Sequence, residues 1–211
     1  MYVCLVGDRE HGPEACPMHY DFPEAEALYV DPEIRRFARV AAQVEAARYR
    51  RWRRAEEVIE FSRRLGFYRL GVIKLGIIFC AGLRYEAAIL TDVLETNGFE
   101  VVSAGCKAGA VPKEWIGLAD SEKVHPGRPE MICNPLAQAE LLNRSHTGLN
   151  ILMGQCVGHD SLSLKHLKAP AVCLIAKGRV LAHNTVAALY ESQGYLRSAL
   201  YQDHQAKEKQ D

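Results

Sequence analysis

The sequence carries no excess charge of either sign: 26 Lys and Arg are matched by 26 Asp and Glu in a chain of 211 residues. Net basicity is what holds proteins to nucleic acid without sequence preference, so its absence argues against a nucleic-acid partner. No apolar run approaches the roughly 18–20 residues that a membrane span needs, which argues against a membrane partner. The start, Met1-Tyr-Val-Cys-Leu-Val-Gly-Asp8, lacks the basic residues and apolar stretch of a secretory leader, and the expected compartment is the cytoplasm. Internal repeats, low-complexity linkers and Cys-x-x-Cys pairs are also missing, and the last of these absences excludes a zinc ribbon. What is there is ordinary globular material, 48% hydrophobic and 25% charged, of a length that suits one compact domain with a small appendage.

Local signals divide the chain. Gly7, Gly12, Pro13, Pro17 and Pro23 punctuate residues 1–30, a segment too short for a core of its own and read as an N-terminal flap. Asp31-Pro32-Glu33 is a helix start, with cap, first-turn proline and acidic residue in order. From Ile34 to Leu65 apolar residues recur near helical spacing and Gly66 closes the run, so residues 31–65 form a long helix or helical hairpin. The basic cluster Arg48 to Arg54 interrupts the stripe and reads as a solvated face offset by nearby glutamates.

Beyond Gly66 short apolar runs alternate with helical segments, the pattern of a parallel sheet. Strands are expected at Leu75–Phe79, Phe99–Ala104, Asn150–Met153 and Ala171–Ala176. Helices are expected at about 83–97, from Asn134-Pro135 to Ser145, at 161–167 and at 186–201. The fold class is therefore α/β, a three-layer αβα arrangement around a short, mostly parallel, Rossmann-like sheet. The sheet domain spans 70–201 within a single α/β domain of residues 31–201, and 202–211 form a polar tail.

Seven cysteines are the informative residues, because an odd number in a reducing compartment argues against structural disulfides. Cys173 lies inside the apolar run Ala171-Val-Cys-Leu-Ile-Ala176 and is expected in the core. Cys80, Cys106 and Cys156 instead follow strands, and Cys133 precedes a helix start, so all four belong to the carboxyl edge, where open parallel sheets bind ligands. Convergent thiolates suit a soft metal, zinc or an iron–sulfur cluster, with Cys80, Cys106, Cys133 and Cys156 as ligands. Cys156-Val-Gly-His159-Asp160-Ser161 permits a second reading: a metal-free enzyme with Cys156 as nucleophile, His159 as its acid or base and Asp160 as orienting group. A non-catalytic ligand-binding module is the third. Arg84, Lys107 and Ser161 are candidates to hold a bound small molecule, and Lys165, His166 and His183 are read onto the same edge. Cys4, His11, Cys16 and His19 form a separate mixed set suited to a second zinc, which would order a flap that has no core.

Several stretches carry a more specific signal: Phe79-Cys-Ala-Gly-Leu-Arg84, Cys106-Lys-Ala-Gly109, Met131-Ile-Cys-Asn-Pro-Leu-Ala-Gln-Ala-Glu140, Gly154-Gln-Cys-Val-Gly-His-Asp-Ser161, Lys168-Ala-Pro170, and His183-Asn184 with Ala187-Ala-Leu-Tyr190. Together, from the flap to about Tyr190, they resemble the prokaryotic metal-binding proteins grouped as domain of unknown function 1847. The resemblance implies an N-terminal cysteine cluster ending in Cys-Pro, the source of the metal-binding label. Cys4 and Cys16-Pro17 fit that pattern, whereas Gly7 stands where a Cys-x-x-Cys partner of Cys4 would fall and His11 is the nearest substitute. No reaction comes with the resemblance. The combined expectation is a cytoplasmic metal-binding protein whose cysteine-lined centre binds or converts a small sulfur-containing or anionic molecule, with room left for a homo-oligomer.

Overall fold

The computed structural model describes residues 11, 14, 16–48, 51–66 and 74–201. Cys4, the start of the apolar run at 70–73 and the tail 202–211 lie outside the described residues. The chain divides into two compact units, Met1–Arg53 and Arg54–Asp211.

The first unit holds one turn of 3-10 helix (Pro17–His19), a short helix α1 (Pro23–Leu28) and the long α2 (Pro32–Ala47). Asp31 caps α2 as its sequence requires, its carboxylate accepting from the backbone N–H of Glu33 at 2.7 Å and of Ile34 at 3.1 Å. At the other end the Trp52 indole donates to the carbonyl of Val44 at 2.7 Å, satisfying one of the carbonyls a helix leaves open in its last turn. The helical lead-in is therefore two helices with a break at the basic cluster. The second helix, α3 (Arg54–Gly66), opens the second unit with Arg54 donating to Glu57 at 3.1 Å.

In the second unit four strands, β1 (Lys74–Phe79), β2 (Glu100–Gly105), β3 (Leu149–Met153) and β4 (Ala171–Ile175), form one parallel sheet in the order β2-β1-β3-β4. Helices α4 (Arg84–Thr96), α5 (Pro135–Arg144) and α6 (Val157–His166) connect them in turn. Alternation along the strands sorts the two faces. Leu75 and Ile77 of β1 and Leu149, Ile151 and Met153 of β3 pack with Val58 of α3 and Ala87, Leu90 and Leu94 of α4 in one core cluster. Ile78 and Leu152 point to the opposite face, where Ala139 and Leu142 of α5 are buried. This is the three-layer α/β fold.

The chain leaves β1 for β2 on one side and returns to β3 on the other, so the switch in direction opens a crevice above the carboxyl ends of β1 and β3. Two glycines allow that close packing. A Cβ on Gly76 would stand 2.2 Å from the Asn150 side-chain oxygen, and one on Gly154 would stand 2.1 Å from Leu83 Cδ1.

Two expectations need correction. Helix α6 begins at Val157 rather than Ser161, which makes Cys156 its N-cap residue. The single helix expected at 186–201 is instead α7 (Val186–Tyr190), a 3-10 turn (Glu191–Gln193) and α8 (Arg197–Leu200), broken around Gly194. Residue 154 also has φ +63°, a left-handed conformation that glycine adopts freely. Gly154→Ala should therefore meet both backbone strain and the Leu83 side chain, lowering stability by about 1–3 kcal/mol in urea unfolding without changing the slope of the transition.

Candidate functional site

The carboxyl edge is tied together by a buried chain of amides. Gln138 of α5, fully buried, donates from Nε2 to the carbonyls of Phe79 at 3.2 Å and Ala104 at 2.7 Å, the last turns of β1 and β2 before Cys80 and Cys106. Its Oε1 accepts from Gln155 at 2.7 Å, the residue before Cys156, and Gln155 in turn accepts from Ser163 of α6 at 2.8 Å. One network thus ties three strand exits to the first turn of α5 and the second turn of α6. Each member finds its partners, as buried polar groups must.

On this platform stand the thiols. The ammonium of Lys177, two residues past β4, donates to Cys80 Sγ at 3.1 Å and to Cys156 Sγ at 3.3 Å. The Arg179 guanidinium reaches Cys80 Sγ at 3.9 Å. Burial pushes the Cys80 thiol up, but the Gly82 N–H, Lys177 and Arg179 together outweigh it and hold Cys80 below the ordinary thiol value. Burial likewise pulls Lys177 down, and the two sulfurs outweigh it, so its ammonium persists above the ordinary lysine range. Thiolate and ammonium stabilise each other.

Cys106 accepts from the Ala81 N–H at 3.3 Å, yet burial, with Cys133 and Cys80 as neighbours, leaves its thiol raised. Cys106 and Cys133 meet because the connection they bracket closes on itself. The Asn134 N–H donates to the Cys106 carbonyl at 2.8 Å, Pro112 bridges to Met131, and Lys113 pairs with Glu130 at 2.5 Å.

The sheet order explains the grouping of the sulfurs. Adjacent strands lie about 4.8 Å apart, so the exits of β2 and β3, on either side of β1, are separated by two such spacings. Cys80 and Cys156 share Lys177, while Cys106 faces Cys133. Among the described residues no group of three or more His, Cys, Asp or Glu side chains stands where it could hold a metal ion.

Other expected residues are more dispersed. His159 lies in the first turn of α6, its N–H bonded to the Cys156 carbonyl at 2.8 Å, and the side chain facing the Cys156 sulfur is that of Lys177. Burial, with Lys177 and Lys107 nearby, lowers the His159 imidazole and favours its neutral form. Burial raises the Asp160 carboxyl against the pull of Lys177, and its Oδ1 has no hydrogen-bond partner. Lys107 binds the carbonyl of Met131 at 2.5 Å, whereas Arg84 turns onto Tyr85, to whose hydroxyl it donates at 3.0 Å. Ser161 Oγ donates back to the Val157 carbonyl within α6 at 3.0 Å.

Lys165 and His166 do not belong to this edge. They end α6, which runs from the carboxyl edge back to the opposite one, as a crossover helix between parallel strands must. His183 stays near the β4 exit, its Nδ1 accepting from the Gly178 N–H at 3.3 Å. Cys173 is exposed rather than buried, because β4 is an edge strand with incompletely covered faces, and it lines an open cleft with Leu83, Ile175 and His183. In the first unit, His19 donates its N–H to the Cys16 carbonyl at 3.1 Å within the 3-10 turn. The signal for Lys177 and Arg179 was the one that marked the cysteines, a position directly after a strand-like run.

Residues 17–174 match the family model described as protein of unknown function, DUF1847. The chain is also similar to an uncharacterized protein of Methanocaldococcus jannaschii, 41% identical over 172 residues that cover 82% of this chain and 84% of that one. No solved structure matches the chain significantly.

Replacing Gln138 tests the platform. In Gln138→Leu the carbonyls of Phe79 and Ala104 and the amide of Gln155 lose their partners while apolar volume is retained, so denaturant unfolding should show a loss of about 2–5 kcal/mol. Ser163→Ala, which removes only the outer end of the network, should lose about 1 kcal/mol.

Proposed function

We propose that this chain, which belongs to the DUF1847 family, is a cysteine-dependent enzyme whose nucleophile is the Cys80 thiolate and whose substrate is a small anionic molecule. The observation that carries the reading is the placement of one ammonium, Lys177 Nζ, against both Cys80 Sγ and Cys156 Sγ at the switch point of a parallel sheet. Thiolate, not thiol, is the nucleophilic form of cysteine, and a cation in hydrogen-bond contact is a standard means of producing it. Arg179 and Lys107 add positive charge to the crevice, so the field favours an anion. His159, biased toward the neutral imidazole, supplies a proton acceptor there. The reading requires a compartment that keeps thiols reduced.

Four thiols on one edge also favour a soft-metal centre, zinc or iron–sulfur, at Cys80, Cys106, Cys133 and Cys156. Such a centre would require Lys177 to leave the space between two sulfurs and the Cys106–Cys133 pair to swing toward them. The donors as they stand do not fit a resident metal, and the thiolate reading is the better supported.

The sign of the pH dependence follows from the lowered Cys80 value. The charged form is present from below the ordinary thiol range upward and is lost as pH falls through the lowered value. Iodoacetamide labelling of Cys80, followed by peptide mass analysis, should therefore rise with a midpoint below the ordinary value of about 8.5. Lys177→Met should move that midpoint upward and slow labelling at pH 7. A Cys80 midpoint at or above that of unfolded protein would overturn the proposal. Stoichiometric zinc or iron in anaerobically purified protein, lost on Cys80→Ser, would replace it with the metal centre.

A further inference from the structure

We infer that Cys156 is the resolving thiol for Cys80, and that the pair carries out thiol–disulfide exchange with small disulfides bearing carboxylates. The inference rests on the thiolate reading of Cys80 and assigns its reaction and its second residue. Two sulfurs that accept from one nitrogen, at 3.1 Å and 3.3 Å, are no further apart than those two bonds laid end to end. They leave adjacent strands, and the Cys80 N–H is bonded to the carbonyl of Met153, three residues before Cys156. They differ in access, since Cys80 is buried and Cys156 exposed at the N-terminus of α6. Attack requires access to the sulfur, so the substrate must be small enough to reach Cys80 through the crevice at the switch point.

The steps balance without any group beyond the disulfide itself. Cys80 thiolate attacks one sulfur of the substrate, forming a Cys80–substrate mixed disulfide and expelling the other half as a thiolate. That thiolate takes the Cys156 proton and departs as a thiol. Cys156 thiolate then attacks Cys80 Sγ, forming the Cys80–Cys156 disulfide and releasing the second half. The substrate disulfide is reduced by two electrons and the protein dithiol is oxidised by two.

Lys177 links the steps. While Cys80 is a thiolate, the ammonium is divided between two sulfurs. Once Cys80 enters the mixed disulfide and loses its charge, Lys177 is left in contact with the Cys156 sulfur alone. Lys177, Arg179 and Lys107 account for the preference for carboxylates on the substrate.

The test uses reduced full-length protein and one equivalent of 5,5′-dithiobis(2-nitrobenzoate), an anionic aromatic disulfide, with mass mapping of every cysteine. In wild type the product should be a Cys80–Cys156 disulfide with two equivalents of nitrothiobenzoate released. Cys156→Ser, a change at an exposed position, should release one equivalent and trap the mixed disulfide on Cys80. Cystamine, a dicationic aliphatic disulfide, should react at Cys80 at least about tenfold more slowly at low salt than 3,3′-dithiodipropionate, a dianionic aliphatic disulfide without an activated leaving group. A stable mixed disulfide on Cys80 in wild type, or closure onto Cys106 or Cys133, would overturn the role of Cys156 while leaving Cys80 as nucleophile. Equal rates with the two aliphatic disulfides would overturn the carboxylate preference. Slow reaction at Cys80, no faster than at exposed Cys173, would overturn this inference and the thiolate reading together.

Discussion

The carboxyl edge of this sheet depends on a single buried glutamine. A parallel strand leaves its last carbonyls without ladder partners where the chain turns away, and at this edge those carbonyls face a helix rather than water. Gln138 answers both Phe79 and Ala104 with one side-chain NH2 and passes its own carbonyl to Gln155. In doing so it sets the height at which β1, β2 and β3 release their chains. The residues immediately beyond, Cys80, Cys106 and Cys156, inherit that spacing. An apolar residue would fill the same volume yet leave three polar groups unpaired in a low-dielectric interior, where each is costly.

The cations at this edge are brought from elsewhere, because the strand exits themselves supply sulfur and small residues. They come from the far end of the second unit. Lys177 leaves β4, the edge strand, and reaches past the exit of β3 to Cys80, contacting Cys156 on the way. Gly82 keeps the approach open: a Cβ there would lie 3.3 Å from the Arg179 guanidinium and 3.8 Å from Cys80 Sγ. The Gly in Cys80-Ala-Gly82 therefore serves the cation as well as the turn.

The fold was legible in the sequence because its signals are local. Asp31 capping Pro32–Ala47, Asn134 capping Pro135–Arg144 through the Ala137 N–H, and the four β-rich runs need only neighbours in the chain to be read. Strand–helix alternation then fixes which ends of the strands share an edge, and so placed Cys80, Cys106 and Cys156 together. What could not be read was lateral order. Whether β2 lies beside β1 or beyond β3 decides which thiols meet, and nothing local encodes it. The same gap misplaced Cys173, whose apolar run reads as buried but forms the edge strand. Gln138 and Gln155 were invisible as a pair, since 17 residues separate them and each alone reads as a surface amide.

Comparison of two thiols shows how little burial alone decides. Cys80 and Cys106 each begin the chain after neighbouring parallel strands, and they are 6% and 5% exposed. Desolvation raises both, and it is the largest influence on each. Yet Cys80 ends below the ordinary thiol value and Cys106 above it. Each sulfur has a backbone N–H, from Gly82 for one and Ala81 for the other, so that contribution does not separate them. The separation comes from what stands opposite: two cations for Cys80, two other cysteines for Cys106. Ionising Cys80 also makes it harder to ionise Cys106, because a second anion at that distance adds like-charge repulsion. One edge therefore presents two thiols whose ionisation is shifted in opposite directions, and the sheet order, by putting Lys177 within reach of β1 and β3 but not of β2, determines which sulfur is shifted which way.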